Sequence, residues 1–253
     1  MEPAIKIFDS PDKVAESLAD LLVNLISSKI AEGGFFSIAI SGGNTPGLLF
    51  LKLAEIERGS INWAKVHFFW VDERCVPPDD HESNFGMARK TLLDPLKIPV
   101  CNVHRMRGED EPHREVLRYS EELREFLQEK NGLLYFNAIL LGLGEDGHTA
   151  SIFPGNEDLF LSDDLCVKTI HPDTGQSRIT ITGKLINNSE NLIFMVTGKN
   201  KSGIIKEILE PVDKELRYPA SFVRPYKGKL SWYIDSSAAE LLAGESNSLS
   251  NSL

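Results

Sequence analysis

Basic residues, cysteine and long apolar runs are all scarce in this chain of 253 residues. Lysine and arginine number 27 against 37 acidic residues, which leaves a formal net charge of −10. Nucleic-acid partners need clustered Lys and Arg to neutralise phosphates, so this charge balance argues against such a partner. Any anionic ligand has to be held by positive charge that is concentrated locally.

The three cysteines, Cys75, Cys101 and Cys166, are odd in number and widely spaced. This pattern fits neither a disulfide framework nor a CxxC metal site, so the sequence predicts three reduced thiols. Cys75 lies beside a candidate site, and a nucleophilic role is the alternative for it. No context like that of a cysteine protease surrounds it.

No stretch reaches the roughly 18 apolar residues that a membrane span needs, and the N-terminal MEPAIKIFDS has no basic flank before an apolar run. With 42% hydrophobic and 25% charged residues, the sequence predicts a cytoplasmic globular protein without a membrane partner. We expect residues 1–244 to form a single domain. The Ser- and Asn-rich end, residues 245–253, is predicted to be a disordered tail.

Segments typical of strands and helices alternate along most of the chain. Ala4–Phe8 is a predicted strand, Ser10 and Pro11 open a long helix, and residues 35–40 form a strand that is apolar on both faces. This order predicts an α/β fold, Rossmann-like, with a mostly parallel sheet flanked by helices. Two adjacent strands, near residues 165–170 and 178–182, break the alternation and are interpreted as an excursion on the same domain.

Residues 140–155, LLGLGEDGHTASIFPG, carry the densest group of reactive side chains. A buried-looking strand runs into a glycine-rich turn that holds Asp146 and His148. Ligands of open α/β sheets bind outside the carboxyl ends of strands, so this pair is a candidate for catalysis. In the alternative interpretation, His148 only caps a following helix that Pro154 ends.

Residues 41–46, SGGNTP, form a candidate phosphate site. Two glycines provide a turn, Thr45 is the predicted N-cap, and a helix is expected over residues 47–56. Unpaired N–H groups and the positive end of the helix dipole converge there. The loop matches neither a Walker A motif nor GxGxxG, and an ordinary strand-to-helix turn is the alternative.

Charged residues follow two other predicted strands. Asp72, Glu73 and Arg74 end the strand at residues 66–71, where they either line a site or form a solvated loop. Arg178 and Lys199 are candidates for the positive charge that an anion requires, although each alone is more typical of a surface cation.

Five stretches together resemble the 6-phosphogluconolactonase family in order and spacing over about residues 4–243. They are SGGNTP at 41–46, FFWVDERCVPPDDHESN at 68–84, LGLGEDGHTASIFPG at 141–155, SRIT at 177–180 and VTGKNK at 196–201. The wider superfamily includes glucosamine-6-phosphate deaminases, which typically read DGHIAFNEP and MDEY where this chain reads DGHTASIFP and DERCVP. Both departures favour the lactonase, and the resemblance implies a sheet of the sugar-phosphate isomerase type.

The resemblance implies hydrolysis of 6-phospho-D-glucono-1,5-lactone to 6-phospho-D-gluconate, in the oxidative branch of the pentose phosphate pathway, without a metal or cofactor. His148 would activate water and Asp146 would orient its imidazole. Asp72 would place water or a sugar hydroxyl, and Arg74 would stabilise negative charge. The residues implied to hold the phosphate are Ser41, Gly42, Gly43, Asn44, Thr45, Arg178 and Lys199.

Two other functions remain open at this stage. One is deamination and isomerisation of amino sugar phosphates, and the other is sensing of a sugar phosphate without catalysis. A sensor normally carries a partner-binding module such as helix-turn-helix, and none is visible in the sequence. Both a monomer and a homodimer are compatible with the sequence.

Overall fold

The computed structural model describes residues 3–56, 61–130, 132–213 and 218–243. No helix in these ranges is both long and apolar enough to cross a membrane. The tail predicted at residues 245–253 lies outside the described residues, and the single domain predicted for residues 1–244 stays a prediction.

Twelve strands and seven α-helices are present in the described part of the chain. The strands are β1 (Ala4–Phe8), β2 (Phe36–Ile40), β3 (Val66–Trp70), β4 (Asp72–Arg74), β5 (Val103–His104), β6 (Gln128–Lys130), β7 (Leu133–Tyr135), β8 (Ala138–Leu141), β9 (Cys166–Ile170), β10 (Ser177–Ile181), β11 (Asn191–Val196) and β12 (Lys229–Asp235). The helices are α1 (Pro11–Ala31), α2 (Asn44–Ile56), α3 (Asn84–Ala88), α4 (Pro112–Phe126), α5 (Gly183–Asn187), α6 (Ser202–Leu209) and α7 (Ser236–Ala239).

Seven of the strands form one parallel sheet in the order β1-β12-β11-β8-β2-β3-β5. The predicted α/β, mostly parallel, helix-flanked architecture is therefore confirmed. The two strands that break the alternation, β9 and β10, form an antiparallel sheet with β4. Strands β6 and β7 pair with each other in antiparallel fashion.

The first βαβ unit shows why the chain adopts this fold. Ser10 caps α1, since its side-chain oxygen accepts a hydrogen bond from the Lys13 N–H at 3.3 Å, and Pro11 occupies the first turn without losing a bonded donor. All five residues of β2 are buried, as expected of a parallel strand covered on both faces. Phe194 and Trp232, on neighbouring strands of the sheet, stack with ring centroids 4.0 Å apart.

Several local predictions need correction. Helix α2 begins at Asn44, so Thr45 lies inside its first turn and is not the N-cap. Asp72–Arg74 form a strand rather than a solvated loop because β10 pairs with them. After β4, Asn84–Ala88 form α3, and Arg89–Leu93 continue it as a π-helical turn.

The order in which successive strands are added to the sheet reverses between β2 and β8. From β2 the chain continues to β3 on one side, whereas β8 leads to β11 on the other. Loops that follow such adjacent strands diverge to opposite sides, and the gap between them is the usual ligand site of open α/β sheets. The segments after β2 and β8 are the SGGNTP loop and the GEDGH turn.

Candidate active site

A cleft of about 300 Å³ opens at this point of the sheet. Its walls include Ser41, Gly42 and Gly43 from the first loop and His148 from the second turn. Side chains from elsewhere complete it: Asp72, Arg74, Asn84, Arg178 and Lys201. An adjoining space of about 450 Å³ shares the two loops and Lys201, and it also reaches Thr45 and Thr197. The fold thus brings most of the predicted site residues to one place.

The SGGNTP loop has the geometry of an anion site. Gly43 has φ +107°, a conformation that side chains rarely adopt. A Cβ on Gly42 would lie 1.7 Å from Asn84 Oδ1, so only glycine fits this close approach. Ser41 Oγ is buried and has no hydrogen-bond partner in the described structure. The backbone N–H groups of Asn44 and Thr45 open α2 and have no partner within the helix, since Pro46 carries no N–H and the Gly47 N–H donates to the Gly43 carbonyl at 3.2 Å.

His148 and Asp146 form a hydrogen-bonded pair, with 2.6 Å between the imidazole Nδ1 and the carboxylate Oδ1. The carboxylate can only accept, so Nδ1 carries the proton and Nε2 keeps its lone pair. Burial by itself would raise the pKa of Asp146, but the hydrogen bond and charge of His148 lower it below its ordinary value. The pair is an imidazole base with an ionised carboxylate that orients it.

Backbone contacts hold this pair in place. The Gly144 N–H donates to the His148 carbonyl at 2.8 Å, and Gly147 has φ +81° with its Cα against the Tyr218 side chain. Residues 149–155 form turns and an isolated bridge between Thr149 and Ile152, not a helix. The alternative in which His148 caps a helix that Pro154 ends is therefore wrong, because residues 149–155 contain no helix.

Strand β4 places Asp72 and Arg74 at the cleft and turns Glu73 away from it. The Glu73 carboxylate is buried and accepts hydrogen bonds at 2.8 Å from the backbone N–H groups of Arg74, Asn84 and Phe85. Burial raises the pKa of Glu73 to about 7, although these donors favour its charged form. These hydrogen bonds hold the first turn of α3 against β4.

Positive charge is concentrated on the same wall. Arg74 and Arg178 lie directly opposite each other in the β4–β10 ladder. Burial and then the charge of Arg74 lower the pKa of Arg178. The Nε atoms of both arginines are buried and unbonded in the described structure. Arg74 donates through Nη1 to the Glu82 carbonyl at 2.6 Å, and an anion in the cleft would supply the acceptors that the two Nε–H groups lack.

The two lysines of VTGKNK are placed differently. Lys199 is exposed and pairs with Glu240 at 3.0 Å, away from the walls of the cleft. Lys201 borders both parts of the cleft, and burial lowers its pKa against the opposing effect of Glu145 and Asp146. The structure therefore does not bring Lys199 to the other predicted site residues, and it brings Lys201 instead.

Sequence reasoning missed Lys201 and did not single out Asn84 or Ser151 as site residues. Lys201 was passed over for Lys199, although both stand in the same motif. Ser83 caps α3, since its Oγ accepts from the Gly86 N–H at 3.0 Å, and Asn84 lines the cleft. Ser151 is buried and donates to Asp72 at 2.6 Å. Its position after GEDGHTA was the only signal for it.

The described residues contain no group of three or more His, Cys, Asp and Glu side chains arranged to hold a metal ion. His148 already shares its Nδ1 proton with Asp146, and Asp72 is bonded to Ser151. Cys75 is half-buried, and burial raises the pKa of its thiol to about 11, which disfavours the thiolate that a nucleophile or metal ligand requires.

Comparison with known proteins assigns the family. The family model described as glucosamine-6-phosphate isomerases/6-phosphogluconolactonase matches residues 9–232. The chain belongs to this family. The resemblance read from the five sequence stretches is thereby confirmed.

Individual relatives extend the match over nearly the whole chain. A 6-phosphogluconolactonase from Haemophilus influenzae is 45% identical over 206 residues, covering 81% of this chain and 87% of that protein. A 6-phosphogluconolactonase from Synechocystis is 39% identical over 244 residues, covering 96% and 99%. The solved structure of 6-phosphogluconolactonase from Trypanosoma brucei has a TM-score of 0.85 at 28% identity, covering 96% of this chain and 99% of that one.

Proposed function

We propose that this protein is a 6-phosphogluconolactonase, which hydrolyses 6-phospho-D-glucono-1,5-lactone to 6-phospho-D-gluconate. The observation that carries the proposal is the Asp146–His148 pair, bonded at 2.6 Å, in the same cleft as a phosphate-type loop and three cationic side chains. A base and an anion cradle in one cleft match a substrate that carries both a reactive carbonyl and a phosphate. The names of the relatives support the same reaction.

The phosphate lies on the loop Ser41 to Thr45 in this proposal. The Ser41 hydroxyl and the first-turn N–H groups of α2 donate to its oxygens, and Lys201 and Arg178 supply charge. We assign to Lys201 the role that the sequence suggested for Lys199, because Lys201 borders the cleft and Lys199 is paired with Glu240.

The reaction needs one base and one acid. His148 Nε2 takes a proton from water as the water oxygen bonds to the lactone carbonyl carbon. The tetrahedral intermediate then expels the ring oxygen, and the same imidazole returns the proton to it as a hydroxyl. The new carboxylic acid loses its proton to solvent. Asp146 keeps the imidazole oriented and stabilises its charged form.

Asp72 and Arg74 act on the reacting end. The Arg74 guanidinium stabilises the oxyanion that develops on the carbonyl oxygen, where a fixed charge is worth more than in water. The Asp72 carboxylate accepts a hydrogen bond from the attacking water or from a neighbouring sugar hydroxyl. We also propose that the protein works in the cytoplasm, as a monomer or homodimer, with residues 1–244 as one domain.

The test is a rate assay with 6-phosphogluconolactone and, in parallel, glucosamine 6-phosphate. We expect lactone opening well above the spontaneous rate, no release of ammonia, and no change when a chelator is added. Ammonia release without lactone opening would assign the deaminase activity, tight binding without turnover would assign a sensor, and loss of activity restored by a metal would contradict the metal-free mechanism.

A further inference from the structure

Ser151 makes an unusual buried contact beside the reacting end of the cleft. Its Oγ donates to Asp72 Oδ2 at 2.6 Å, and both residues are nearly inaccessible, at 0% and 6% exposure. That distance is typical of a hydroxyl bonded to an ionised carboxylate, which is a strong class of hydrogen bond. Asn84 approaches the other oxygen, Oδ1, at 3.4 Å, and bonds the Asp72 carbonyl at 2.9 Å.

Ser151 is itself fixed by two threonines of the small antiparallel sheet. Its N–H donates to Thr180 Oγ1 at 3.2 Å, and its carbonyl accepts from Thr169 Oγ1 at 3.0 Å. The serine therefore links β9 and β10 to a carboxylate that lines the cleft. Every polar group of Ser151 has a partner, and the hydroxyl is the only one directed at a site residue.

We propose that Ser151 is a positioning residue, which acts on the reaction through Asp72. Its hydroxyl fixes the rotation of the carboxylate by holding Oδ2, so that the remaining lone pairs face the cleft. Without this donor, Oδ2 of Asp72 loses its hydrogen-bond partner at a nearly inaccessible position. The inference rests on the proposed lactonase function and extends it to a residue that does not line the cleft.

A double-mutant cycle tests the proposal, with lactone hydrolysis corrected for the spontaneous rate. In the otherwise native enzyme, Ser151→Ala should lower kcat/KM roughly 10- to 100-fold, the range of a hydrogen bond to a charged group. In an Asp72→Ala background, the same change should alter kcat/KM less than about 2-fold, because the partner is already gone. The inhibition constant of inorganic phosphate should stay unchanged, since the phosphate loop is intact.

Two further variants separate positioning from packing. Ser151→Cys keeps the shape but offers only a weak donor, so it should lose activity as Ser151→Ala does. Ser189→Ala removes a hydroxyl that is just as buried but bonds the Phe136 N–H and the Leu185 carbonyl outside the walls of the cleft, and its kcat/KM should stay within about 3-fold of the native value.

Native-like kcat/KM in folded Ser151→Ala or Ser151→Cys would overturn the proposal, and so would an equal loss from Ser151→Ala in the Asp72→Ala background. Absence of hydrolysis by the native enzyme would instead refute the proposed function, and this inference with it.

Discussion

Gly144 leaves no room for a side chain beside the catalytic pair. A Cβ there would lie 2.1 Å from His148 Nδ1 and 2.4 Å from Asp146 Oδ1, where ordinary contacts begin at 3.4 Å. Gly144 does not have a positive φ, so alanine fits the backbone and the clash is the only obstacle. The change Gly144→Ala therefore tests the position of the imidazole.

The size of the effect follows from the clash. The ring has to move by about 1.3 Å, the difference between 3.4 and 2.1 Å, and a misplacement near 1 Å costs ~10²-fold in rate. We expect kcat for lactone hydrolysis to fall by about that factor, whereas KM changes little because the phosphate loop is untouched. The assay follows lactone opening after subtraction of the spontaneous reaction.

Gly203→Ala is the matched control. Gly203 lies in α6, has open space where its Cβ would be, and has no positive φ. Alanine there should leave kcat unchanged and stabilise the helix by roughly 0.5–1 kcal/mol. Native kcat in a folded Gly144→Ala variant would refute the reasoning, because the pair could then not depend on the observed geometry.

Three further predictions follow from the charged residues. Lys201→Ala should raise KM by roughly 10- to 100-fold, the range of a charged contact worth ~1.5–3 kcal/mol, whereas Lys199→Ala should leave it unchanged. Asp146→Asn should lower kcat less than His148→Ala, because a ring without its ionised partner still carries a base. The Glu73 pKa is raised by burial from 4.5 to about 7, so the folded state binds more protons than the unfolded state between these values. The free energy of unfolding should therefore fall as the pH rises from about 4.5 to about 7. Compared with the Glu73→Gln variant, the native protein should lose about 3 kcal/mol over this range in unfolding experiments.

Each of these three predictions has a result that would contradict it. A larger KM effect from Lys199→Ala than from Lys201→Ala would return the phosphate contact to Lys199. A greater kcat loss from Asp146→Asn than from His148→Ala would shift the base away from the imidazole. Parallel stability profiles of native and Glu73→Gln protein would mean that burial of Glu73 has no net electrostatic cost.

The main parts of the site could be predicted because their signals are local. Glycines, a proline and a short strand mark the SGGNTP loop and the GEDGH turn, and parallel strands bring such segments to one edge of the sheet. Asp146 and His148 are two residues apart, so the local sequence of the turn is enough to predict their hydrogen bond.

Other parts depend on contacts that no local pattern contains. Strand β4 is three residues long and exists because β10, about a hundred residues later, pairs with it. The Ser151–Asp72 bond joins positions 79 residues apart. A 3-10 turn after Gly198, whose φ is +99°, determines that Lys201 and not Lys199 borders the cleft. The sequence shows the glycine, but it does not show which way the turn directs each lysine.

The most direct test of the account is the turnover of His148→Gln with 6-phosphogluconolactone, measured on a folded variant that still binds product. General acid–base groups contribute ~10²–10⁴-fold, so kcat above the spontaneous reaction should fall by a factor in that range. Turnover close to that of the native enzyme would contradict the assignment of His148 as the base.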